Sequence, residues 1–252
     1  MCGKWFKNKN FYIALGMSLL PLLAGILLCL TDGRSVLQVS LPASVWDNPA
    51  SAWSDELYYY KQAEAVIHHG VPQGFFGYNE SRADYLSFAT WSPVVLLPYV
   101  AWGLLFGWNL YSPVLCNIFL SMLAVFLFVW LTKPDKKQCI MLALMVTASL
   151  FSARYMLSGM SETICSFWAV LYLGLGINYG KEQKTYKLVL LFLIVGVMTL
   201  IRPYYLIFML LPAYYAFVKF RLPGVFVSLG GILGFGILYF VISEKFLSLI
   251  HI

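Results

Sequence analysis

Two adjacent acids, Asp55 and Glu56, follow a serine at the head of Trp53-Ser54-Asp55-Glu56-Leu57-Tyr58-Tyr59-Tyr60. Ser54 suits an N-cap, and acids in a first turn are favoured by the helix dipole. A carboxylate held there can act as general base on a hydroxyl; equally, the pair can do no more than complement the dipole. Gly70 and Pro72 stop this helix after His69. Leu57, Tyr60, Ala63 and Ile67 share one side, the pattern of a helix lying on a bilayer surface. A second group is Arg154-Tyr155-Met156-Leu157-Ser158-Gly159-Met160-Ser161-Glu162-Thr163, which reads as a tight turn between two apolar runs. Glu162 there is either a functional acid or a solvated boundary residue. Arg154 lies a few residues inside a run, where charge is costly, and snorkelling to the interface is its plain account. The third group is Arg202-Pro203-Tyr204-Tyr205. Its arginine can pair bidentately with a phosphate or anchor an interface.

The elements that must position these residues are set by composition. The 252 residues are 61% hydrophobic and only 11% charged, against about 25% charged in a soluble domain. The apolar residues fall in runs long enough to cross roughly 30 Å of hydrocarbon as helices, without the alternation of a barrel. An all-α, polytopic membrane bundle is expected. Its net charge of +6 gathers in clusters between the runs: Lys4, Lys7 and Lys9; Lys133, Lys136 and Lys137; Lys181, Lys184 and Lys187; Lys219 and Arg221. That placement is the positive-inside signature, so it marks cytoplasmic segments and argues against a nucleic-acid partner. The cysteines (2, 29, 116, 139 and 165) all avoid the long loop and read as small apolar residues.

The first span is expected over 11–30, uncleaved and with a cytoplasmic N-terminus. The stretch that follows, to Ser92, holds seven acids (Asp32, Asp47, Asp55, Glu56, Glu64, Glu80, Asp84) against three bases (Arg34, Lys61, Arg82), which places it outside. The apolar stretch 93–107 is short for a crossing, and crossing there would put Lys133–Lys137 outside. It is therefore read as interfacial, anchored by Trp91, Tyr99, Trp102 and Trp108. Six more spans follow, over 112–131, 138–157, 163–179, 187–201, 204–218 and 223–243. Seven spans and an outer loop over 31–111 then form one module over 1–252. The final Leu247-Ser248-Leu249-Ile250-His251-Ile252 resembles a translated transposon end. The expectation is a truncated reading frame whose C-terminal remainder is missing, with no role for His251.

These features together resemble the GT-C fold of membrane glycosyltransferases, such as the protein O-mannosyltransferases and aminoarabinose transferases. The carriers are Asp55-Glu56-Leu57-Tyr58-Tyr59 with Ala63 and Gly70, similar to that family's first-loop pattern, and Ser158-Gly159-Met160-Ser161-Glu162-Thr163, similar to its second outer loop. The resemblance implies a hexosyl-type transferase of the cell envelope, in a bacterial plasma membrane. Its donor would be a polyprenyl-phosphate-linked sugar, transferred with inversion to a lipid, glycan or protein acceptor. Asp55, Glu56 and Glu162 become the candidate catalytic acids. Arg202, Arg154, Arg82, Tyr58 and Tyr59 become the substrate- and phosphate-binding set. A divalent metal, as in some relatives, would fall to Glu80 with His68 or His69. Trp91-Ser92-Pro93-Val94 stands where mannosyl- and aminoarabinose transferases carry Pro-Pro-Leu and lysine features, so the acceptor stays open. A polytopic lipid or polysaccharide transporter or flippase would instead show internal repeats, or broken helices with charges at mid-membrane. A non-catalytic membrane subunit is a third reading.

Overall fold

A computed structural model of the protein describes residues 9–31, 54–70, 73–74, 84–85 and 92–246. Within them the chain is helical apart from one antiparallel pair, β1 (Gln73–Gly74) with β2 (Asp84–Tyr85). Five helices are long and apolar enough to cross a membrane: Lys9–Thr31, Ser112–Thr132, Glu162–Glu182, Pro203–Phe220 and Leu222–Ile242. Two apolar helices, Pro93–Phe106 and Thr185–Ile201, are shorter. The protein is an integral membrane protein of helical class.

The helices divide between two compact units, residues 1–60 with 107–174 and residues 61–106 with 175–252. In the first unit, α1 (Lys9–Met17) and α2 (Leu20–Thr31) form the first span. The turn between them at Ser18–Leu19 has a local cause. Pro21 has no N–H for the Met17 carbonyl, and its ring crowds that carbonyl. Ala14 of α1 is fully buried against Val125 and Val129 of a helix over Ser112–Thr132. Gly25 of α2 lies so close to a later helix that an added Cβ would stand 2.8 Å from the Met156 methyl carbon. A missing side chain here lets two helices approach.

The expected continuous span over 138–157 is instead two helices, Lys136–Ala148 and Leu150–Met156, broken at Ser149. Neither proline nor glycine sits at the break. Thr147 donates to Ala143 O at 2.7 Å and Ser149 to the Ser152 hydroxyl at 2.7 Å. The Thr147 bond, to the carbonyl four residues back, is of the kind that bends helices. A cavity of about 260 Å³ opens beside the break, lined among others by Ala24, Ser149, Ser152, Thr163 and Ser166. Irregular backbone at membrane depth is tolerated where it lines such a space.

In chain order the remaining helices are α3 (Ser54–His69), α4 (Leu97–Phe106), α5 (Ser112–Thr132), α6 (Lys136–Ala148), α7 (Leu150–Met156), α8 (Glu162–Glu182), α9 (Thr185–Ile201), α10 (Leu210–Phe220) and α11 (Leu222–Phe246). Helix α3 begins at Ser54 and ends at Gly70, whose φ of 74° is the left-handed stop glycine provides. Its burial is wider than a single apolar side. Glu56, Tyr59, Tyr60 and Ala63 are buried at helical spacing, and Gln62 and Ala65 are buried as well. More than one stripe of the helix is covered by protein.

In the second unit, Leu188, Leu191, Val195 and Met198 form the buried stripe of α9, and the 3-10 turn Pro93–Leu96 packs against that helix. Arg202 is extended before Pro203 and ends α9, as the residue preceding proline is pushed out of helical geometry. Lys187, expected among exposed cytoplasmic lysines, is buried. It bonds Asn178 and stands 2.7 Å from Glu182. From α10, Lys219 donates to Gln183 O at 2.6 Å and Thr185 Oγ1 at 2.9 Å, tying down the α8–α9 turn. Helix α11 leaves Phe226, Leu233, Ile237 and Phe240 exposed, which suits a span facing lipid.

Candidate functional site

The head of α3 meets the turn between α7 and α8. Glu56 is only 2% exposed. Its carboxyl accepts from the Gly159 N–H and the Ser158 hydroxyl. Three residues on, the Tyr59 hydroxyl accepts from Ser161 Oγ at 2.9 Å. Tyr60 stacks on Trp108 with ring centroids 5.2 Å apart. Spacings of three and four turn these side chains to one side of the helix, which is why Tyr59 and Tyr60 lie on the same side as Glu56.

The turn is close-packed and internally bonded. Ser158, Gly159, Met160 and Ser161 are all buried. A Cβ on Gly159 would lie 3.4 Å from Pro113 Cβ and 3.5 Å from Glu56 Cβ. The Met160 N–H donates to Ser158 Oγ at 3.2 Å, and Ser158 Oγ lies 2.8 Å from Tyr155 O. A serine hydroxyl has one proton. Ser158 Oγ stands within reach of two acceptors, the Tyr155 carbonyl and the Glu56 carboxyl. Burial pushes the Glu56 carboxyl up to about 7, while the Gly159 N–H and the Ser158 hydroxyl hold it back. A carboxyl so placed changes charge near neutral pH, a property concentrated at functional sites.

Of the sequence candidates, the first unit brings Glu56 and Tyr59 to this turn, with Glu162 half-buried in the first turn of α8 just beyond it. Arg154 is exposed in the last turn of α7. Asp55 and Tyr58 belong to α3, but their side chains lie outside the described residues, as do Glu80 and Arg82 altogether. Arg202 belongs to the second unit, where its Nη1 donates to the Tyr204 hydroxyl at 2.9 Å. His68 and His69 are exposed at the end of α3. Among the described residues, no three His, Cys, Asp or Glu side chains converge as metal ligands.

Sequence reasoning missed Asn117. It is fully buried in α5, and its Nδ2 donates to Ser158 O at 2.7 Å and Met160 O at 3.0 Å. The signal was available, because a polar side chain inside an apolar span is a functional-site hypothesis by default. Compared with known protein families, curated proteins and solved structures, the chain matches none.

Proposed function

We propose that the chain transfers a sugar from a polyprenyl-phosphate donor to an acceptor hydroxyl at the extracytoplasmic face of a bacterial plasma membrane. One observation carries this reading: the acid-bearing head of α3 is bonded to the turn between α7 and α8 through Glu56 and Tyr59. Two segments about a hundred residues apart, both resembling outer loops of GT-C glycosyltransferases, are thereby brought to one place.

The same contact supports the topology. Helix α5 and the broken α6–α7 pair both lie between the contact's two ends in the chain. At about 1.5 Å per residue, Lys136–Met156 has the length to cross despite its break. If both cross, residues 93–106 lie in the interface, since a third crossing would put α3 and the 157–161 turn on opposite faces. The proposed arrangement then has seven crossings, a cytoplasmic N-terminus and every basic cluster inside.

In the proposed reaction Asp55, beside Glu56 in the first turn, accepts the proton of the acceptor hydroxyl. The acceptor oxygen attacks the anomeric carbon from the face opposite the phosphate. The bond from that carbon to the phosphate oxygen breaks, and polyprenyl phosphate leaves with the electron pair. Arg154, in the same unit as Asp55, offers a cation for its charge. Glu56, buried and bonded to the turn, holds the helix head, and Glu162 supplies a second acid at the rim. A metal at Glu80 and the histidines stays an open part of the proposal.

The test uses membranes containing the protein and radiolabelled polyprenyl-phosphate hexoses and pentoses, following release of polyprenyl phosphate. The unsubstituted protein should release it with at least one donor, and Asp55→Asn should lower the rate by about 10²–10⁴-fold, the scale of general-base catalysis. An undiminished Asp55→Asn rate would remove Asp55 as base, and no release with any donor would remove the transfer reading. A lipid or polysaccharide transporter is the reading favoured by the cavity at the α6–α7 break, whose polar lining among the described residues consists of hydroxyls.

A further inference from the structure

Asn117 lies one turn beyond Pro113 on α5, and both face the turn that carries Ser158 and Gly159. A buried amide is costly unless bonded. Here the side-chain nitrogen is committed to two backbone carbonyls, Ser158 O and Met160 O. The Ser158 carbonyl and the Gly159 N–H are the two ends of one peptide unit. The Gly159 N–H bonds the Glu56 carboxyl. Amide, peptide and carboxyl therefore stand in series, and hydrogen bonds in series polarise one another in a low-dielectric setting.

We propose that Asn117 is a positioning residue for Glu56, gripping the Ser158–Gly159 peptide so that its N–H is aimed and polarised toward the carboxyl at the head of α3. Its bearing on catalysis rests on the transfer reading above, but the hydrogen-bond series can be tested without it. Asn117 touches neither substrate nor Glu56 itself and acts through the peptide.

The series gives Asn117 a signature that simple packing lacks. Pulling on the Ser158 carbonyl makes the Gly159 N–H a better donor, and a better donor favours the ionised form of Glu56. Removing the Asn117 amide should make Glu56 hold its proton to higher pH. A packing residue of the same size would leave that midpoint where it was.

Dicyclohexylcarbodiimide reacts with protonated carboxyls in apolar surroundings. The protein in proteoliposomes is treated with it across a pH series, and modification at Glu56 is quantified by mass spectrometry. Labelling of the unsubstituted protein should fall with a midpoint near the value of about 7 set by its surroundings. Glu56→Gln should abolish it. Asn117→Leu, nearly isosteric, should move the midpoint upward by a few tenths of a unit, as loss of roughly 10–30% cooperative strengthening of the Gly159 N–H bond implies. An unchanged midpoint in folded Asn117→Leu overturns the proposal.

A second measurement needs no substitution at Asn117. Its side-chain amide nitrogen resonance should shift with pH at the midpoint of carbodiimide labelling, and the shift should vanish in Glu56→Gln. A resonance that ignores Glu56 ionisation overturns the proposal even if Asn117→Leu fails to fold. If the midpoint moves as expected while no polyprenyl-phosphate sugar is ever turned over, the positioning role stands and the transfer reading fails.

Discussion

Asp55 and Glu56 are neighbours in sequence, but their positions are about 100° apart around a helix. That rotation separates what the two can do. The Glu56 carboxyl is enclosed by the 158–161 turn, and its charge is linked to the docking of the helix head. Its pKa rises from an ordinary 4.5 to about 7, so between those values the docked state keeps a proton that the released state gives up. The docked state is therefore favoured fully below about pH 4.5, loses that advantage as pH rises to about 7, and changes no further above it. At 1.36 kcal/mol per unit, the span is no more than about 3 kcal/mol. The thermal midpoint of the protein in detergent should fall between pH 5 and pH 8, and in Glu56→Gln this part of the fall should disappear. An identical pH profile in the two proteins would show that Glu56 ionisation is not coupled to docking. Only half of this pair was legible beforehand. The acids were identifiable from a capped first turn, but their burial was not, because it depends on Ser158, Gly159 and Asn117, more than sixty residues away in the chain.

At the scale of elements, hydropathy located five of the seven expected spans among the described residues, because length and apolarity are one-dimensional properties. The expected 112–131 became Ser112–Thr132, and 223–243 became the span Leu222–Ile242. Breaks were harder to read. Pro21 announces the turn in the first span, whereas Ser149 has no comparable marker, with neither proline nor glycine at its break. Glycines were also ambiguous, since only packing separates those that matter. An added Cβ on Gly224 would stand 2.2 Å from Ala216 O and 2.4 Å from Ala216 C. These are backbone atoms that cannot swing aside as a methionine end can. Gly224→Ala should force α10 and α11 apart and cost about 1–3 kcal/mol as an overpacked contact. Gly230→Ala, which meets nothing within 4 Å, should be neutral or slightly stabilising through better helix propensity. Thermal denaturation of both variants in one detergent gives the comparison, and equal midpoints would show that the α10–α11 contact tolerates a methyl group.

For the molecule as a whole, charge placement and the α3 contact are independent lines that meet on one topology. Basic clusters argue from the cost of moving lysine across a membrane during insertion. The bond from Ser161 to Tyr59 argues from geometry, because two groups 2.9 Å apart share a face of the bilayer. Each alone leaves an escape: charge bias sets orientation only on average, and the contact fixes parity without saying which side is outside. In the proposed topology, with α5 and α6–α7 both crossing, the α5–α6 turn is cytoplasmic and α3 is external. Residues at both places are exposed, Lys136 at the start of α6 and His69 at the end of α3. In a protein otherwise stripped of cysteine, His69→Cys should react with a membrane-impermeant maleimide in intact cells. Lys136→Cys should react only after permeabilisation. The reverse pattern would invert the molecule and put the Glu56 site inside. Labelling of both in intact cells would mean that residues 93–106 cross and that α6–α7 does not, which would overturn the proposed arrangement of crossings while leaving α3 outside.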